Sequence, residues 1–207
     1  MDSPKVEEHL AKRRDALIRE VEVAFEDVLL GKGRSWTGSA IEDMRGFYEH
    51  EPEPNVDGQT SWRELVDNPF WNTFPGIGGF SFMDAEGFRY YAPAALIRTL
   101  NSGVDEDIVF HLTLEGDPGS RDYTLSQWAD LSLPQCLCIK HVLEYMVILE
   151  LSVPVSEYES RRDIKNSYVY KALDSYWKDV SEEGVPFRWA PRTKRKKHRR
   201  KPPGGIL

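Results

Sequence analysis

The chain has 207 residues, 40% of them hydrophobic and 12% aromatic, and a formal net charge of −7. That apolar and aromatic content excludes wholesale disorder, the lack of any run near 18 uncharged apolar residues excludes a helical membrane span, and two cysteines exclude a disulfide framework. The net charge conceals a split: residues 192–201, RTKRKKHRRK, hold eight Lys or Arg and no acid, while the remainder carries 19 basic against 34 acidic residues, a formal −15.

From the N-terminus, Ser3 at N-cap and Pro4 at N1 open a helix. Leu10, Leu17, Ile18, Val21, Phe25, Val28 and Leu29 recur near the helical period until Gly31 and Gly33. The pattern predicts an amphipathic helix of about 25 residues, with Lys12, Arg13, Glu20 and Glu22 on its polar face. The start is charged throughout and has no apolar core like that of a signal peptide, so the expected location is cytoplasmic, with Cys136 and Cys138 as thiols.

Ser39-Ala40-Ile41-Glu42 fits a capping box, followed by Ile41, Met44 and Tyr48 at helical spacing. EHEPEPNVDGQ reads as an acidic loop. Ser61-Trp62-Arg63-Glu64 is a second capping box, on a helix that Pro69 keeps short. Phe80 and Phe82 read as extended, and Asp84 as the cap of a short turn through Gly87. Ala92 precedes Pro93 and is steered away from α geometry. Pro93 then fits N1 of an apolar core helix to about Leu100, with Gly103 near its end. Residues 105–114 satisfy strand alternation (Ile108, Phe110, Leu112, Leu114) and a short helix equally. EGDPGSRD reads as a loop, and Thr124-Leu125-Ser126-Gln127 as the start of a short helix.

Ser132-Leu133-Pro134-Gln135 is a further capping box. It opens the expected central core helix, apolar at Cys136, Leu137, Ile139, Val142, Leu143, Met146, Val147 and Leu149. Pro154 stops it, and a capping pattern over residues 156–159 starts a last helix to about Lys178. Periodicity fails after Gly184. The expected architecture is therefore mainly α: one compact multi-helix domain over residues 1–183, at most a short β-hairpin, and a disordered basic tail over 184–207.

The run Phe80-Ser81-Phe82-Met83-Asp84-Ala85-Glu86-Gly87-Phe88-Arg89-Tyr90-Tyr91-Ala92-Pro93-Ala94 resembles the sFLxpegFRYYLPA signature of a family of uncharacterised bacterial proteins. Residues 24–28, the Trp62 helix and the helix opened by Leu133-Pro134-Gln135 are similar to that family in order and spacing. The resemblance covers roughly residues 15–150. Ala92 departs from the family's Leu, and the basic tail has no counterpart. The resemblance implies one domain in a bacterial cytosol and no activity, because the family's function is unknown.

Several groups bear on chemistry. In the FRYY run, Arg89 can contact an anion and Tyr90 or Tyr91 can move a proton; the commoner arrangement pairs Arg89 with a carboxylate while Phe88, Tyr90, Tyr91 and Pro93 build core. Cys136, Cys138 and His141 do not make a metal site: C-x-C side chains diverge on a helix, and two ligands are too few. His111, between Phe110 and Leu112, reads as a core or rim histidine, and a pairing with Cys136 or Cys138 needs tertiary proximity. The glycines of Pro75-Gly76-Ile77-Gly78-Gly79 match no phosphate-binding loop. No cofactor or metal is expected.

Partners are best argued from charge. Arg192, Lys194, Arg195, Lys196, Lys197, Arg199, Arg200 and Lys201 suit phosphate neutralisation, with Phe187 and Trp189 available to stack on bases. The sequence therefore points first to a binding or regulatory protein whose tail contacts nucleic acid or another polyanion, with no membrane role. The alternative is an immunity- or inhibitor-like protein that meets a basic partner through Glu42, Asp43, Glu49, Glu51, Glu53, Asp57, Glu64 and Asp67. An enzyme centred on Arg89, Tyr90 and Tyr91 comes third.

Overall fold

Local capping chemistry sets several of the observed boundaries. The computed structural model describes residues 3–44, 61–71, 78–102, 107–114, 116–152, 165 and 167–187. Among them are seven α-helices: α1 (Ser3–Ala24), α2 (Trp36–Met44), α3 (Ala85–Ser102), α4 (Ile108–His111), α5 (Pro118–Gln127), α6 (Leu133–Ser152) and α7 (Tyr168–Ser175). Single 3-10 turns lie at Trp62–Leu65, Gly79–Phe82 and Trp177–Asp179. The described residues contain no strand, only an antiparallel bridge between Ser181 and Gly184. The mainly α expectation holds.

Two capping boxes form as read. Ser61 accepts from the Arg63 N–H while Glu64 accepts from the Ser61 N–H. Ser132 and Gln135 exchange the equivalent bonds at the start of α6. The Ser39 box does not form. The helix starts one turn earlier, because Ser35 Oγ accepts from the Gly38 N–H at 2.9 Å. Ser39 is buried inside α2 and its hydroxyl donates back to Trp36 O.

The N-terminal helix is shorter than its periodicity suggests and ends at Ala24. Side chains from elsewhere take its last carbonyls, which a continuing helix would have used. Arg63 donates to Glu22 O and Glu26 O, Gln135 to Ala24 O, and the Trp62 indole to Phe25 O. This satisfies the orphan acceptors of a helix end. Val28 is still buried, whereas Leu29 faces solvent.

The larger correction concerns Pro93. α3 runs uninterrupted through Ala92 and Pro93 for 18 residues. An interior proline costs roughly 3 kcal/mol through a lost N–H and a ring clash. Here Phe88, Tyr90, Tyr91, Leu96, Ile97 and Leu100 are all buried on the same helix. Each such side chain contributes about 1.5–3 kcal/mol, so packing outweighs the local preference. Asp84 caps this whole helix, accepting from the Gly87 N–H at 2.8 Å.

Phe80 and Phe82 are not extended but lie in the 3-10 turn Gly79–Phe82. The ambiguous segment resolves to helix, as the single turn α4. α5 begins at Pro118, earlier than expected, because Asp117 accepts from the Gly119 and Ser120 N–H groups with Pro118 at N1. α6 packs on α1 and α7 and touches α3, at the centre of the fold. α7 is capped by Ser167. The 156–159 capping pattern, Pro154 and Gly103 lie outside the described residues.

Candidate functional site

The FRYY run is built into the core. Phe88, Tyr90, Tyr91 and Pro93 are buried. The Tyr91 hydroxyl accepts from the Trp36 N–H at 2.9 Å, and the Tyr91 ring lies 5.3 Å from the Trp36 ring. Trp36 also meets Phe80 and Trp71 edge-on at 5.3 and 5.2 Å. Arg89 is half-buried. Its expected carboxylate partner is replaced by an amide: Arg89 Nε donates to Gln135 Oε1 at 3.1 Å. None of the clefts described below takes a wall from this run. What the arrangement does is hold α2 and α6 against α3.

Residues 80–83, upstream of the run, are clamped through their backbone. Gln127 Nε2 donates to Phe80 O at 2.7 Å and to Met83 O at 3.1 Å. The Tyr123 hydroxyl donates to Ser81 O at 2.5 Å, and the Arg34 guanidinium to Phe82 O. Every carbonyl from 80 to 83 thus has a side-chain donor, which explains the turn: these acceptors need no partner strand. Burial is the main influence that raises the Tyr123 hydroxyl pKa above the ordinary tyrosine value.

Beside this clamp lies an open cleft of about 400 Å³ between α4 and α5, with walls that include Phe110, His111, Ser120, Tyr123, Thr124 and Gln127. His111 Nε2 sits 3.3 Å from Asp107 Oδ2, and both side chains are largely buried. Asp107 precedes α4, where an aspartate ordinarily caps the helix. Its carboxylate makes no capping bond, and its φ is 69°. Sequence reading singled out His111 but missed Asp107, Tyr123 and Gln127. The available signal was the i, i+4 spacing of Asp107 and His111, hidden because the segment read equally well as a strand. A second cleft, of about 490 Å³, has Lys165, Tyr170, Lys171 and Asp174 in its walls.

The structure does not bring His111 to a cysteine. Cys136 and Cys138 are buried free thiols on α6, and burial, with Glu20 nearby, pushes the Cys138 thiol far up. His141 lies 2.7 Å from Glu20. No group of three or more metal-ligating side chains occurs among the described residues. Of the eight acids in residues 42–67, Asp43 accepts from the Gly78 N–H, Glu64 completes a capping box, and Glu42 lies 3.8 Å from Arg34. Glu49, Glu51, Glu53 and Asp57 lie outside the described residues, as do Trp189 and all eight cations of residues 192–201. Phe187 is no free stacking platform. Its carbonyl accepts from the Tyr176 hydroxyl, and its ring lies under Arg121 at 4.6 Å. No described helix is long and apolar enough to cross a membrane.

Residues 13–181 match the family described as "Family of unknown function (DUF6714)". No curated protein and no solved structure matches the chain.

Proposed function

The chain belongs to the DUF6714 family of unknown function, and from that premise we propose a non-enzymatic binding or regulatory protein whose basic segment, residues 192–201, contacts nucleic acid or another polyanion. The carrying observation is charge segregation. Eight cations fall within ten residues, beyond the family match at 13–181, and the rest of the chain is formally −15. Such a segment attaches a sequence-independent phosphate contact to a body that would itself repel phosphates. The burial of Tyr90 and Tyr91 supports a packing role for the FRYY run over a catalytic one. Two buried free thiols suit a reducing, cytoplasmic setting.

The test is binding of a single-stranded RNA and a duplex DNA by the full chain and by a truncation ending at residue 190, at two salt concentrations. The full chain should bind with log K falling by about 0.7–0.9 per phosphate contact for each unit of log salt. The truncation should not bind. Equal binding by both chains would sink the proposal. Binding by neither would move the search to protein partners of the acidic body.

A further inference from the structure

The cleft between α4 and α5 is independent of the basic segment and combines features that point to a ligand. Two large aromatic side chains in its walls are solvent-exposed, Phe110 at 47% on α4 and Tyr123 at 45% on α5. Exposed aromatic faces around a concavity of this volume are typical of small-molecule sites. Ser120 and Thr124 line the same space.

The polar chemistry is specific as well. The Asp107 carboxylate lies beside Nε2 of the His111 ring, and Nδ1 is the ring's other hydrogen-bonding nitrogen. Asp107 gives up capping α4 and adopts a φ of 69° while placing its carboxylate 3.3 Å from His111. A non-glycine residue held in that region is uncommon, and such residues cluster at functional sites.

Charge limits the ligand class. Among the described residues, no lysine or arginine lines the cleft. The N–H groups of Gly119 and Ser120, which could bind an anion at the start of α5, already hold the Asp117 carboxylate at 3.0 and 3.1 Å. The Asp107 carboxylate lies 3.3 Å from His111. Phosphates and carboxylates are therefore disfavoured.

We propose that this cleft binds a small neutral ring with one apolar face and a hydrogen-bonding edge, and that His111 accepts a hydrogen bond from it. A nucleoside base and a pyranose sugar share that chemistry. The ring packs on Phe110 and Tyr123, and its edge meets His111.

Trp128 provides a local reporter, since its indole N–H donates to His111 O at 3.2 Å. The experiment titrates the ¹⁵N-labelled full chain with uridine, adenosine, glucose and inorganic phosphate, and follows the Trp128 indole signal. A saturable shift with a nucleoside or with glucose is expected and tells the two sources apart; phosphate should give none. His111→Phe keeps the ring and removes the acceptor, and should weaken binding tenfold or more. Phe110→Ser, at an exposed position, should do the same and keeps the test independent of any folding defect at His111. The truncation ending at residue 190 should bind as the full chain does. The proposal is overturned if neither nucleoside nor glucose shifts the signal up to ~10 mM, well above a weak ~1 mM Kd. It is equally overturned if phosphate binds as well as they do, or if both variants bind unchanged.

Discussion

Arg89 of α3 and Gln135 of α6 are joined by a 3.1 Å bond from the guanidinium Nε to the amide oxygen. The same Gln135 oxygen accepts from the Ser132 N–H at 2.9 Å, and its Nε2 donates to Ala24 O at 3.1 Å. One buried amide therefore ties together the end of α1, the N-terminal part of α3 and the start of α6. Gln135→Leu keeps the approximate volume and strands three partners. At about 1–3 kcal/mol for each buried unsatisfied group, the expected loss is roughly 3 kcal/mol or more, read by urea unfolding. Arg89→Met, which leaves the other two bonds intact, should cost clearly less. Equal losses would contradict a hub at Gln135.

The clamp on residues 80–83 gives a second ordering. Gln127 is buried and serves two carbonyls, whereas Tyr123 is exposed and its hydroxyl serves Ser81 O. Gln127→Leu should destabilise by about 2–3 kcal/mol and Tyr123→Phe by about 1 kcal/mol. Chemical denaturation of both variants checks the order, which fails if Tyr123→Phe is the worse.

Gly78 has a φ of 82°, and a Cβ there would lie 2.4 Å from the Ala40 N. Gly116 has nothing within 4 Å of the same atom. Gly78→Ala should lower stability by roughly 2 kcal/mol or more, through strain and a clash with backbone. Gly116→Ala should be within about 0.5 kcal/mol of the parent, as at an ordinary surface site. Thermal unfolding of the pair reads both, and comparable midpoints would show that the loop before the 80–83 turn relaxes freely.

Cys138 sets a pH dependence. Burial, then the charge of Glu20, raises its thiol pKa in the folded chain. The unfolded chain loses that proton first, so it binds fewer protons than the native state above pH ~8.5. The stability this contributes is complete below that pH and falls as pH rises, with a slope approaching about 1.4 kcal/mol per unit for one group. Tyr145 and Tyr123, also raised chiefly by burial, add to the fall above pH ~10. Urea midpoints between pH 8 and 10 should decline in the parent and decline less in Cys138→Ala. A thiol reagent should label Cys138 only on unfolding.

Capping boxes were legible because they are closed within four residues. Ser61 with Glu64 and Ser132 with Gln135 each satisfy two backbone donors locally, and tertiary context had no reason to disturb them. Ser39 had the same pattern and lost to Ser35, because the helix could begin a turn earlier and bury Ser39. Within four residues the sequence favours Ser39, which has Glu42 three positions on where Ser35 has Gly38. The aromatic core of the FRYY run was legible as core from its composition; its fixing of Trp36 and Gln135 was not, since those partners lie tens of residues away.

By itself the sequence determined the helical class, the family resemblance, the separation of eight cations from an acidic body and the absence of a local catalytic motif. These follow from composition, from short-range spacing or, for the resemblance, from the order of motifs along the chain. Tertiary structure alone decided that Pro93 sits inside a helix, since burial of its neighbours exceeds the local cost. It decided that residues 79–82 turn instead of extending, since Gln127, Tyr123 and Arg34 take their carbonyls. It also decided that Asp107 faces His111 at the rim of a cleft, since that cleft exists only where α4 and α5 meet.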